Sequence, residues 1–145
     1  MAYKTILLKG NGEGPLQKEA KAGGAILPGM CVEYVTNDTT IQAHSTSDSL
    51  DGVMVAVENS LEGQEVGTTY STSDQVQFMH FRPGDEFLAF IKTGQVITFG
   101  DRLLSNGDGY WKKETGGESF AVEAGKVQAL EASAAGNELI KCVAM

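Results

Sequence analysis

Residues Arg82 to Leu104 read R-P-G-D-E-F-L-A-F-I-K-T-G-Q-V-I-T-F-G-D-R-L-L, and this stretch decides the fold. Two turns share one grammar: Pro83-Gly84-Asp85 and Phe99-Gly100-Asp101. Glycine supplies the positive φ of a tight turn, and the neighbouring aspartate can hydrogen-bond the turn backbone. An apolar segment follows each turn, Phe87 to Ile91 after the first and Leu103-Leu104 after the second. Lys92 to Gln95 interrupts the apolar run and Val96 to Phe99 resumes it. β-Branched and aromatic residues between turns suit pleated strands. The pattern predicts short antiparallel strands joined by Gly-Asp turns, and Leu27-Pro28-Gly29-Met30 is a third Gly-led turn upstream.

The rest of the chain follows the same grammar. Met30 to Val35 reads as a strand, turned by Asn37 to Thr40. Gly52 to Val57 is continuously apolar and of strand length, which predicts the most buried strand. Glu58 to Ser73 is a long polar connection, a kind usually functional or mobile. Gln75 to Phe81 alternates, with Val76, Phe78 and His80 on one face. Ser105-Asn106-Gly107-Asp108-Gly109 predicts a hairpin turn built on Gly107 and Gly109. Further strands are expected at Phe120 to Val122, Lys126 to Glu131 and Leu139 to Val143. About ten short strands predict an all-β barrel with long inserted loops, of a small SH3-like or β-tulip type.

The N-terminal part reads differently. Tyr3 to Leu8 alternates loosely, Gly10 to Pro15 is loop, and Leu16 to Ala22 holds good helix formers in a helix too short to stand alone. Residues 1–24 are therefore expected to form an extended arm, and residues 25–145 the barrel domain. The arm holds four lysines against two glutamates, whereas residues 25–145 hold 7 basic and 17 acidic side chains. Tyr3, Lys4, Ile6, Leu7, Leu8 and Lys9 are the candidate docking residues, because an extended apolar segment can add to a neighbour's sheet edge. The alternative is that Lys4 to Leu8 forms the first strand of its own barrel.

At 145 residues the chain is read as one domain, large enough for a real core. Leu, Ile, Val and Phe make up 34 of the residues, above the level of disordered chains. No apolar run reaches membrane-spanning length, so no membrane association is expected. Met1 to Lys4 opens no apolar signal segment, so use without export is expected. The net charge of −8 disfavours nucleic acid, whose phosphates need clustered Lys and Arg. Cys31 and Cys142 are expected as buried free thiols, with a disulfide only if their strands meet.

No catalytic, cofactor or metal site is expected. Gly10 to Gly14 lacks the third glycine of a dinucleotide loop and the Gly-Lys-Ser/Thr of a phosphate loop. Cys31, His44, His80 and Cys142 do not have zinc-ligand spacing. Asn106 to Gly109 lacks the ligand set of a calcium loop. His44 to Asp48 gathers Ser, His and Asp in one loop, whereas triads are assembled across a fold. Tyr110 and Trp111 fit either a contact surface or a core cap.

Several pieces in order resemble the decoration, or cement, proteins of tailed-phage capsids. They are A-I-L-P-G-M-x-V at Ala25 to Val32, D-G-V-M-V-A-V-E at Asp51 to Glu58, and Tyr70, Asp74 and Val76. R-P-G-D-E at Arg82 to Glu86, F-G-D-R-L-L-S-N-G-D-G at Phe99 to Gly109 and A-L-E-A at Ala129 to Ala132 complete the series. Where the family pattern has Gly before the aspartate of the tyrosine element, this chain has Ser73. The resemblance implies a β-barrel body on the outer surface of an expanded virion head, often a homotrimer, bridging major capsid protein subunits. Such a protein would be made in the host cytoplasm and would have no catalytic site and no cofactor. The competing reading is an SH3-like binding module or tail component that recognises a peptide or glycan.

Overall fold

The computed structural model describes residues 5–9, 15–47, 52–63, 65–114, 127–134 and 138–145. These residues form eleven strands and one 3-10 turn at Ser60–Glu62. In chain order the strands are β1 (Leu7–Lys9), β2 (Leu16–Ala22), β3 (Val32–Tyr34), β4 (Thr40–Ala43), β5 (Met54–Val57) and β6 (Gln75–His80). They continue with β7 (Glu86–Phe90), β8 (Leu103–Ser105), β9 (Trp111–Lys113), β10 (Val127–Ala129) and β11 (Leu139–Ala144). The all-β expectation holds.

The strands form a four-stranded sheet, β1-β7-β11-β10, a five-stranded sheet, β3-β4-β2-β6-β5, and the β8-β9 hairpin. No closed barrel results, which corrects the SH3-like or β-tulip expectation. A single bridge, Cys31 to Val55, draws the two ends of the five-stranded sheet toward each other. The continuous ladder stops there because Gly29 and Met30 enter a turn beside Ala56 instead of extending β3.

Strand β5 connects two cores. Its side chains alternate faces, as any strand's must. Val55 and Val57 enter the larger cluster with Ile6, Phe87, Leu88, Ile91, Ile97, Leu103 and Trp111. Ala56 faces the smaller cluster with Ala20, Ala22, Ile26, Ile41, Tyr70, Val76 and Phe78. Burial on both faces explains the unbroken apolar run of this strand.

The N-terminal segment is the main correction. Leu16–Ala22 is a strand, not a short helix, and it lies inside the five-stranded sheet. Six of its residues pair antiparallel with β6, from Leu16 opposite His80 to Lys21 opposite Gln75. Lys21 and Ala22 also pair parallel with β4. Composition favours helix here, but Ala20 and Ala22 are the buried residues and stand two apart, the strand period. Two ladders satisfy the backbone more completely than an isolated seven-residue helix can. Ile6 is fully buried in the larger core and β1 pairs with β7. Residues 5–9 and 15–22 therefore belong to the body, and the boundary at residue 24 cuts through one sheet.

Smaller differences have local causes. Val96 to Phe99 is not a strand, because turns at Lys92–Gln95 and Thr98–Asp101 leave only Ile97 free to bridge Ser133. Strand β10 is shorter than expected, and Phe120 to Val122 lies outside the described residues. Ser105 to Gly109 joins β8 to β9 as a hairpin, as expected.

Candidate docking surface

The turns set the geometry of the surface. Ser71–Asp74, Arg82–Asp85 and Thr98–Asp101 are three copies of one design. In each, the aspartate N–H donates to the carbonyl of the first residue, at 3.0, 3.0 and 3.1 Å. In each, the aspartate Oδ2 accepts from the N–H of that same first residue, at 2.8, 2.7 and 2.8 Å. The third residue has positive φ: Ser73 at 73°, Gly84 at 95° and Gly100 at 91°. The double clamp fixes the turn from both ends, and the second residue of each is exposed. In Leu27–Met30 the Met30 sulfur takes the carboxylate's place and accepts from Leu27 N at 3.3 Å. Gly29 there has φ 98°.

The glycines and aspartates singled out in the sequence have the following geometry. Gly29, Gly84 and Gly100 carry positive φ, Asp85 and Asp101 clamp their turns, and Gly107 and Gly109 carry positive φ in the hairpin loop. Gly109 also needs the missing side chain, since a Cβ would stand 2.8 Å from Ala43 Cβ and 2.9 Å from Met30 Sδ.

The expected docking residues are not brought together as an exposed arm. Tyr3 and Lys4 lie outside the described residues. Ile6 is in the core, its N–H donates to Glu58 Oε2 at 3.1 Å, and its carbonyl accepts from Leu88 N. Leu7 is half-buried against the same core, opposite Phe87. Leu8 and Lys9 are exposed, with the Lys9 ammonium 4.0 Å from Glu86. A fully buried isoleucine cannot dock on a neighbour, so Ile6 is removed from that set.

His44 is buried, with Nδ1 2.8 Å from Ser105 Oγ and Nε2 3.8 Å from Glu33 Oε2. The order carboxylate, imidazole, hydroxyl resembles a triad, yet Ser105 is fully buried and its Oγ also accepts from Gly107 N. That residue is sealed from solvent, and its hydroxyl ties His44 to the hairpin loop. Ser45 Oγ donates to Glu33, not to His44. Burial would raise the Glu33 carboxyl, but hydrogen bonds from Ser45 and Gln42 and the His44 charge hold it below its ordinary value. His80 is half-buried beside Tyr34 and Phe78, and desolvation, then Lys18, push its imidazole down. Among the described residues no group of His, Cys, Asp and Glu could hold a metal ion. Cys31 and Cys142 are both buried, and no disulfide joins them.

Trp111 belongs to the core and Tyr110 to the surface. Trp111 is fully buried, while Tyr110 is half-buried against Phe90 and under Lys92. Among the described residues the most exposed large apolar side chains are Leu61, 91% exposed, Phe99, 74%, and Val96, 60%. In the sequence Phe99 both closes the apolar run from Val96 and opens the Phe99-Gly100-Asp101 turn. Its place, second in a turn, does not by itself expose it, since Pro28 at the corresponding place of the Leu27–Met30 turn is buried.

No protein-family model matches the chain, and no curated protein matches it significantly. Among solved structures, the chain is similar to the N base of head fiber gp8.5 in bacteriophage phi29. The TM-score is 0.60 at 15% identity, over 90% of this chain and 94% of that one. The two share a fold. At that identity the shared feature is the arrangement of strands, not a set of site residues.

Proposed function

We propose that this chain is a structural protein of a tailed-phage virion. It is a decoration (cement) protein that binds the outer surface of the expanded head and stabilises contacts between major capsid protein subunits. The observation that carries the reading is the fold shared, over nearly the full length of both chains, with the base of a phage head fiber. The ordered motifs from Ala25 to Ala132 support it independently. In this reading the protein acts as a homotrimer, has no catalytic role or cofactor, and contacts neither nucleic acid nor membrane. The net charge of −8 supports a protein partner over a phosphate backbone.

The neighbour's description as a fiber base favours one second reading, in which the chain seats a projecting element on the head. Expanded capsids lacking this protein, incubated with it and sedimented, test both. A cement protein co-sediments and raises the temperature at which capsids break open. A fiber seat co-sediments without that rise. No co-sedimentation, with binding to tails instead, overturns the head-binding reading in favour of the tail-associated module.

A further inference from the structure

We propose that Phe99 is the anchor by which this protein docks, inserting into an apolar socket with an acidic rim on the capsid lattice. This rests on the head-binding reading above. The three Asp-clamped turns provide an internal comparison. Their second residues are Thr72, Pro83 and Phe99, all exposed. Only the third turn holds an aromatic there.

That turn is firmly braced. Its Asp101 carboxylate accepts from Thr98 N and Thr98 Oγ1 and lies 3.4 Å from the Lys113 ammonium. Gly100 N donates to Ala129 O at 2.9 Å, Ala129 N to Asp101 O at 2.8 Å, and Gln128 Nε2 to Gly100 O at 3.2 Å. Strands β9 and β10 thus hold the turn from two sides, while its phenyl ring stands in solvent. A rigidly presented aromatic, with the exposed Val96 three residues before it in the chain, is the composition of an interface anchor. Burying the ring removes a large apolar area from water at little entropic cost, because the backbone beneath it is already fixed.

Charge selects the socket. Residues 92–114 hold four cations, Lys92, Arg102, Lys112 and Lys113, against three carboxylates. Residues 52–91 hold one cation, Arg82, against six carboxylates. The Asp101 and Asp108 carboxylates face Lys113 and Lys92 within the chain. Arg102 is exposed immediately after the turn. Residues 92–114, like residues 1–24, thus carry more cations than carboxylates in an otherwise acidic protein, which fits an acidic rim and lessens like-charge repulsion there.

The test is co-sedimentation with expanded capsids at two salt concentrations, with sizing of the free protein. Phe99→Ser should weaken capsid binding about tenfold or more while leaving melting and free oligomeric state unchanged. Arg102→Glu should weaken binding most at low salt, and Leu61→Ser should bind as wild type. Wild-type-like binding by Phe99→Ser, with the unsubstituted protein still bound, overturns this inference and leaves the head-binding reading standing. Loss of oligomers in Phe99→Ser assigns the socket to a second copy and overturns the capsid assignment. Failure of the unsubstituted protein to bind capsids sinks both.

Discussion

The indole Nε1 of Trp111 donates to the carbonyl oxygen of Gly29 at 3.0 Å, in the interior of the protein. The same carbonyl accepts from Phe90 N at 3.1 Å, and Gly29 N donates to Ala56 O at 2.8 Å. One glycine therefore joins β5, β7 and β9, and hence both sheets and the hairpin. The largest side chain of the core satisfies its only donor there, as a buried tryptophan must.

Gly29 and Gly100 should respond differently to alanine. Both have positive φ, 98° and 91°. A Cβ on Gly100 meets nothing within 4 Å, whereas one on Gly29 stands 2.5 Å from Leu139 Cδ2. Gly100→Ala should cost about 1 kcal/mol of backbone strain. Gly29→Ala adds overpacking of about 1–3 kcal/mol. Urea denaturation of the two variants checks the order; equal losses would show that Leu139 moves aside freely.

Ser73 occupies the left-handed position that Gly84 and Gly100 hold in the sister turns, with φ 73°. Relief of strain in Ser73→Gly outweighs the added freedom of the unfolded chain, so stability should rise by about 1 kcal/mol. Differential scanning calorimetry should show a higher Tm. A lower Tm would mean that Ser73 makes a compensating contact.

Deleting residues 2–24 should abolish folding, because β2 is an inner strand of the five-stranded sheet and Ile6 fills the larger core. Ile6→Ala alone should cost about 2–5 kcal/mol. Circular dichroism and thermal melting decide both. A truncated protein that melts like the whole would restore the free-arm picture.

Acid should loosen the Phe99 turn before the core. Burial would raise the Asp101 carboxyl, but hydrogen bonds from Thr98 N and Oγ1, with Lys113, outweigh it and hold the group below 3.8. A lowered folded value contributes stability that is fully present above the unfolded value and lost as the pH falls through the folded one. Wild type should therefore lose stability below about pH 4, and Asp101→Asn should lose less over that interval. Parallel acid titrations followed by tryptophan fluorescence and urea midpoint measure the difference; identical slopes would remove Asp101 from the acid response.

Native protein should react slowly with thiol reagents, since both cysteines are buried and burial raises the Cys142 thiol well above its ordinary value. Both should react at once in denaturant. Rapid labelling of either thiol in the native state would contradict the packing around it.

The β class, the Gly-Asp turns and the Ser105–Gly109 hairpin loop were legible in the sequence because each depends on a few neighbouring residues. Positive φ needs glycine or tolerates little else, and a carboxylate three residues along reaches the turn's first N–H. The fate of Leu16–Ala22 was not legible in composition. Its helix formers were overruled by ladders to β4 and β6, whose nearest paired residues are separated by tens of positions along the chain. Nor could the sequence say that Ile6 is core while Phe99 is exposed, since hydrophobicity alone would bury both. Local backbone chemistry set the turns and strand class; strand pairing over long separations set the sheet order, opened the barrel, absorbed the N-terminal segment and left Phe99 outside.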